Sequence, residues 1–302
     1  MEETVYILIV LLNRCILTKD IELGGFTSMK KLIFPSLLAT TFLVACGSDE
    51  TEETSGNEAW NAIQESGTMT VATAGTLFPT SYHSEDDELT GYEVELVREI
   101  AALLDVKVEF EEIGVDTMTQ ALNSGRVHLA ANSLAITEER EENFDFSTPY
   151  KYSFGSAIVR EDDLSGIESL EDLDGKIALG AMNTTYMQKA EEYGATPTYF
   201  DNVTNDVYLR AVENGQGDVV LNDYYLQSIT VNHLSDINVQ IHPTLFYDPS
   251  EQGMMMAKNE PLLLEAVNDA LSQLLDDGTA TALSEEFFEG YDVTELPDID
   301  FE

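Results

Sequence analysis

The 302-residue chain predicts an α/β protein made of two similar units, and three observations carry that prediction. Segments of period-two and period-3.6 hydrophobicity alternate along the chain, the order expected when helices connect the strands of a sheet. LNSGRVHLAANS at 122–133 is echoed by VENGQGDVVLND at 212–223. Hydrophobic residues make up 43% of the chain and charged residues 24%, a globular composition that supplies a sizeable core.

The elements follow in order. Residues 1–28 precede a complete signal peptide and are expected to be an in-frame extension upstream of a start at Met29, with Gly24-Gly25 as the image of a ribosome-binding sequence. The other reading is a genuine extension, although VYILIVLL is too short to span a bilayer. In 29–45, Lys30 and Lys31 lead an apolar run from Leu32 to Val44. The run is shorter than the about 20 residues that a membrane span needs and fits a signal peptide. Leu43-Val44-Ala45-Cys46 resembles a bacterial lipobox, which implies cleavage before Cys46 and lipid attachment to its sulfur; otherwise the cysteine follows an apolar run by chance. Several acyl chains on one residue give stable anchoring where a single chain does not. Residues 46–59, with GSDETEETSG, read as an acidic tether.

The globular part begins near Trp60. TMTVATAG is a strand entering a loop. GYEVELVREIAALLD is a helix with Val94, Val97, Ile100, Ala101 and Leu104 on one face. VKVEFEE alternates with period two and is a strand. EDDELTG lacks a full calcium-loop pattern and reads as a hairpin turn. Pro261 starts a helix that Gly278 is placed to stop. ATALSEEFFEG is a further helix, and 291–302 reads as a loose tail. In the two echoing stretches, Gly125 matches Gly215, His128 matches Asp218, and Asn132 matches Asn222. Two ordinary αβ units can look alike without more meaning. The functional reading is two lobes, each aiming a strand end at a shared cleft, since ligands of open α/β sheets sit outside the carboxyl ends of strands. Ser133 and Asp223 then stand on opposite walls.

Charge excludes several functions. Fourteen Lys and Arg face 57 Asp and Glu, for a net charge of −43. Nucleic acid is excluded as a partner, because phosphate binding needs basic patches, and so is docking on anionic lipid through a basic face. Residues 1–45 hold four cations and four acids, so the charge survives their removal and keeps the protein soluble. It suggests a salty or alkaline exterior. Cys15 and Cys46 are the only cysteines; neither has metal-ligand spacing, and the mature part cannot close an internal disulfide. No metal or cofactor is expected.

The motifs TGYEVELVREIA, ALNSGRVHLAANSLAITEEREENFDFSTPY, LEDLDGKIALG, GQGDVVLNDYYL and VNDALSQLLDDGT resemble the solute-binding proteins of polar amino-acid ABC transporters, in the right order over about 66–290. The resemblance implies a periplasmic-binding-protein-like, two-lobed venus-flytrap fold of type II with two crossover strands. Lobe 1 would be 60–150 plus 253–290 and lobe 2 would be 155–247, with hinges near 151–155 and 248–252. It also implies the site. Arg140, in Thr-x-x-Arg, would hold the ligand carboxylate, for which a planar fork suits a bidentate acceptor. Asp223 would hold the ammonium. Thr185, with Thr184 beside it, would offer backbone N–H at a helix start, which favours an anion. Ser133 and Ala135 would contribute strand-end backbone groups, with Asn222 beside Asp223. Leu77, Phe78 and Val115 would line the side-chain subsite. Phe144, Phe146 and Tyr150 read as core and hinge packing.

The bland alternatives are a surface Arg140 paired with Glu138 or Glu141, worth about 0–1 kcal/mol, and Asp223 or Thr184–Thr185 acting as helix caps. The chain departs from the family pattern at Ala135, usually Ser or Thr; at Leu77 and Val115, often aromatic; at His128, commonly Asp; and at Asn183, commonly Gly. STPYKYS, NTTYM and LNDYYLQ most resemble binders of cystine and related sulfur amino acids, and the negative field disfavours glutamate or aspartate.

The expected partners are a free amino acid, a membrane permease whose ATPase is a separate subunit, and the membrane through the lipid anchor. Rival classes are a dehydratase-type enzyme and a ligand sensor on the same fold. Against an enzyme, the chain has no G-x-S-x-G, no H-E-x-x-H and four scattered histidines, His83, His128, His233 and His242.

Overall fold

The computed structural model describes residues 56–200 and 202–296. The upstream extension, the signal peptide, Cys46, the tether up to residue 55 and the end of the tail from residue 297 therefore lie outside the described residues. Near the start, the helix α1, Glu58–Ser66, begins two residues inside the segment read as tether.

The elements of the first half are β1 (Thr68–Thr73), β2 (Thr76–Leu77), β3 (Ser81–His83), β4 (Leu89–Thr90), α2 (Tyr92–Leu103), β5 (Lys107–Glu112), α3 (Val115–Asn123), β6 (Leu129–Ala130), α4 (Glu138–Glu141) and β7 (Phe144–Phe146). The second half holds β8 (Lys151–Arg160), β9 (Ile177–Gly180), α5 (Thr185–Glu192), β10 (Thr196–Tyr199), α6 (Asn205–Glu213), β11 (Val220–Asp223), α7 (Tyr224–His233), β12 (Val239–Gln252), β13 (Met255–Ala257), α8 (Pro261–Asp276) and α9 (Thr279–Phe287). EDDELTG holds both the hairpin turn after β3 and the strand β4 itself, and the two strands pair antiparallel.

Two main sheets result. The first runs β5-β1-β6-β13-β7, with β5, β1 and β6 parallel and β13 antiparallel to both neighbours. Successive residues of β1 and β6 face opposite ways, as the two-residue period of a strand requires. Val71 and Leu129 join the cluster with α2, α8 and α9, whereas Ala72 and Ala130 join Met118, Ala121 and Leu122 of α3. The second region pairs β11-β8-β12 antiparallel and β9-β10 parallel, joined by a bridge between Ala178 and Val219. It repeats the logic: Ala157, Val159, Val219 and Leu221 pack on one side with Met187 and Ala190, and Ile158 and Val220 on the other with Leu209 and Val212.

The strand β8 carries the chain out of the first sheet, and β12 returns it, paired from Lys151–Gln252 to Arg160–Val239. These are the two crossover strands. Their pairing stays close at Gly155 because a Cβ there would stand 2.3 Å from the Tyr247 ring.

The echoing stretches share their local features. Both follow a helix, α3 or α6, and both turn through a left-handed glycine, Gly125 (φ +68) and Gly215 (φ +69). The substitution at His128 also has a physical reason. Its Nδ1 accepts from Thr70 N at 2.9 Å, and Asp218 Oδ2 accepts from Ile177 N at 2.9 Å. A neutral imidazole thus does in one unit what a carboxylate does in the other. The expectation of a loose tail from residue 291 needs correction at Val293, which is fully buried and accepts through its carbonyl from Tyr152 N at 2.7 Å.

Candidate functional site

A cavity of about 220 Å³ lies between the walls contributed by the two sheet regions. That is below the roughly 300–1,000 Å³ of sites for drug-sized ligands, so it suits a small molecule. Of the ten ligand contacts expected from sequence, nine line it: Leu77, Val115, Ser133, Ala135, Arg140, Thr184, Thr185, Asn222 and Asp223. Phe78 does not. Leu77, the last residue of β2, lines the cavity, and Phe78 follows it in the turn that leads through Pro79. The Phe78 ring packs edge-on to Tyr82 and His233 instead. Its carbonyl is used, accepting from Asn205 Nδ2 at 3.2 Å and Thr230 Oγ1 at 3.1 Å.

The Thr-x-x-Arg spacing has a local cause. Thr137 is the N-cap of the one-turn helix α4, and its Oγ1 accepts from Arg140 N at 3.3 Å. Three residues on, the Arg140 side chain is turned so that Nη1 donates to Ala135 O at 2.8 Å and Nη2 to Asn183 O at 3.2 Å. Two of five guanidinium N–H groups are then used. No carboxylate lies within ion-pair distance of Arg140 among the described residues, although seven of the ten described cations are paired in this way. The reading of Arg140 as a surface cation paired with Glu138 or Glu141 therefore fails. Burial pushes its pKa down, opposed by Tyr186 and Glu139, yet an arginine stays charged from so high a starting point. A half-buried guanidinium with no carboxylate partner among the described residues, beside a cavity, has the charge and free N–H groups to accept an anion.

Backbone donors stand close by. Thr184 caps α5, its Oγ1 accepting from Met187 N at 3.1 Å, and Thr185 is the first residue of that helix. The first N–H groups of a helix have no intrahelical acceptor, and the dipole there favours negative charge. Ala135 bridges Gln252 through flanking bonds, Ile136 N to Glu251 O at 2.8 Å and Gly253 N to Leu134 O at 3.1 Å, which leaves the Ala135 N–H without an acceptor among the described residues. Ser133 differs from expectation: its N–H is taken by Glu93 Oε1 at 2.6 Å, in a left-handed backbone (φ +48).

Glu93 is a residue that sequence reading missed. Fully buried in α2, it also receives a short hydrogen bond from the Tyr150 hydroxyl, and its Oε2 has no hydrogen-bond partner among the described residues. Burial raises its pKa against the hydrogen bonds from Tyr150 and Ser133 and the charge of Lys151.

Asp223 ends β11 and caps α7, with Oδ1 accepting from Leu226 N at 2.9 Å. It is 1% exposed. Its Oδ2 accepts from Lys151 Nζ at 2.5 Å and Gln252 Nε2 at 2.8 Å, and Lys151 also donates to Gln252 Oε1 at 3.0 Å. Burial alone would raise the Asp223 pKa, but the Lys151 charge and the three hydrogen bonds outweigh it and hold the carboxyl below the usual range. Lys151 and Gln252 start and end the crossover strands, so this buried triad ties the second wall to the hinge. The sequence signal was a lone lysine in the apolar run YKYSFGSAIV.

The rest of the lining is mostly apolar or aromatic. Met182, Tyr199, Phe200, Tyr208 and Leu226 come from one side and Leu77 and Val115 from the other, with Thr76, Asp116, Asn132 and Asn202 among the polar groups. Thr76 Oγ1 donates to Asn202 Oδ1 at 3.1 Å across the cleft.

Two sheets joined by paired crossover strands, with a small polar-ended cavity between them, define a two-lobed solute receptor of the periplasmic-binding-protein type. The chain belongs to the bacterial extracellular solute-binding proteins, family 3, whose model matches residues 69–290; that family comprises binding proteins rather than enzymes. It is similar to the probable ABC transporter extracellular-binding protein YckB of Bacillus subtilis, 48% identical over 279 residues, covering 91% of this chain and 97% of the relative. It is also similar to the L-cystine-binding protein TcyA of Bacillus subtilis, 30% identical over 88% of this chain and 100% of the relative. The crystal structure of Bacillus subtilis YckB matches with a TM-score of 0.65 and 51% identity, covering 80% of this chain and 98% of that one.

Proposed function

We propose that the protein is the lipid-anchored, extracytoplasmic receptor of an amino-acid ABC importer, and that its ligand is a polar or sulfur amino acid such as cystine. One observation carries the reading: Arg140, without a carboxylate partner among the described residues, and Asp223, on the other wall, line one small cavity. Arg140, the Ala135 N–H and the start of α5 converge as donors for an α-carboxylate. Asp223 faces the ammonium. The thioether of Met182 and the rings of Tyr199 and Phe200 suit a sulfur-bearing side chain, since sulfur–aromatic contacts are favourable. Similarity to a cystine binder supports the same class.

The two charged anchors stand on opposite walls, so a ligand touching both prefers the closed state, and binding shifts the population toward it. The closed form is then the one a membrane permease would receive. Cys46 in its lipobox supports the anchor and the location outside the membrane.

A thermal-shift screen of the twenty amino acids, cystine and methylated sulfur analogues tests the reading, because a ligand that binds only the folded state raises Tm with concentration. A rise with cystine or another sulfur amino acid is expected. No response to any amino acid would contradict it.

A further inference from the structure

We propose that Lys151 is a resident counter-cation on Asp223, and that it relaxes the demand for an α-ammonium so that the cavity also takes carboxylates of the same shape that carry no amine. The inference rests on the receptor reading above and adds a second ligand class to it.

A carboxylate offers about four acceptor positions. Asp223 has filled three from within the protein: Leu226 N on Oδ1, and Lys151 Nζ and Gln252 Nε2 on Oδ2. One position on Oδ1 is left for a ligand. The charge is matched as well, because the lysine ammonium is 2.5 Å away.

Lys151 is held in place. It is fully buried, bonded to Gln252 Oε1 at 3.0 Å, and stands 5.6 Å from the centre of the Phe288 ring. It has no exposed route by which to swing away when a ligand arrives.

The consequence follows from what an absent amine would leave behind. Sites that reject an analogue lacking an N–H by about 10⁴–10⁵-fold do so because their buried polar groups are left unpaired. Here a ligand without an amine leaves Asp223 with three hydrogen bonds and a counter-cation. What is lost is one hydrogen bond to a charged group, about 1.5–3 kcal/mol, or roughly 10–150-fold in affinity. A ligand ammonium also meets the like charge of Lys151, which narrows its advantage. Arg140 has no carboxylate partner among the described residues, so the carboxylate end carries the selection.

The test is titration calorimetry on the intact protein with paired probes, S-methyl-L-cysteine against 3-(methylthio)propanoate and L-methionine against 4-(methylthio)butanoate. Each amino acid is expected to bind its site less than about 1,000-fold more tightly than its amine-free partner. A larger preference overturns the proposal. If neither member of either pair binds while another amino acid in the thermal-shift screen does, that amino acid and its amine-free acid are compared by the same threshold. If no amino acid and no amine-free acid binds, the receptor reading itself fails and the proposal falls with it. In Lys151→Gln, which keeps a donor but removes the charge, the amino-acid preference is expected to rise at least tenfold. An equal loss for both members of a pair would mark the lysine as structural only and overturn the proposal. Should that variant fail to fold by circular dichroism, the wild-type preference alone decides.

Discussion

Removing Lys151 leaves a buried carboxylate without its cation, and the structure sets the scale of the damage. Lys151 is fully buried and Asp223 is 1% exposed, so neither charge can recover its hydration when the other is lost. Breaking such a pair from one side costs about 3–5 kcal/mol, far more than the roughly 0–1 kcal/mol of an exposed pair. For a domain of this size each kcal/mol moves Tm by about 2–4 °C, so Lys151→Met is expected to melt roughly 6–20 °C below wild type. Methionine is a fair replacement in shape because it is unbranched and adaptable. The double variant Lys151→Met/Asp223→Asn should recover most of the loss, since asparagine still caps α7 and neither member of the pair is left charged and buried. Differential scanning calorimetry at constant pH gives all four corners of the cycle. A single variant within about 3 °C of wild type, or a double variant melting below both singles, would refute the argument that the pair is buried and coupled.

Further outcomes follow from other parts of the molecule. Burial lowers the pKa of His128, with Glu260 opposing, and its Nδ1 accepts from Thr70 N, so the folded state holds it neutral. A folded pKa below the ordinary 6.5 means that its contribution is present above pH 6.5 and is lost as pH falls below that value toward the folded pKa. In His128→Asp, which copies Asp218 of the other unit, urea midpoints should decline less than in wild type between pH 7 and 5.5; an equal decline would discount the imidazole. Gly155→Ala places a methyl 2.3 Å from the Tyr247 ring and should destabilise by about 1–3 kcal/mol as an overpacked site, read by the same urea titration. A neutral result would mean that the crossover strands give way there easily.

Much of this was legible in the sequence because the signals are local. Thr137 and Arg140 are three apart, within one turn, so the cap and the inward arginine are one motif. The paired stretches at 122–133 and 212–223 are each a helix end, a glycine turn and a strand, so their likeness survives in the residues themselves. The residues that end both stretches, Asn132 and Ser133 in one and Asn222 and Asp223 in the other, line a common cavity. What was not legible is tertiary. Lys151 and Asp223 are 72 residues apart, and Glu93 and Ser133 are 40 apart; nothing in either neighbourhood marks one as the partner of the other. A lysine inside an apolar strand reads as an edge residue until its carboxylate is found. Phe78 follows Leu77 directly but lies in the turn after β2, where its ring packs on Tyr82 and His233, so nearness in sequence does not carry it into the cavity. Val293 was lost in a polar context, where a single valine docking under Ser284 leaves no periodic trace.

The most direct test is a crystal structure with the best amino acid from the thermal-shift screen bound. The ligand carboxylate is expected within about 3 Å of a guanidinium nitrogen of Arg140 and its ammonium at the same distance from Asp223 Oδ1, with Lys151 still on Oδ2. A ligand bound elsewhere, or in this cavity with its carboxylate away from Arg140, would contradict the account.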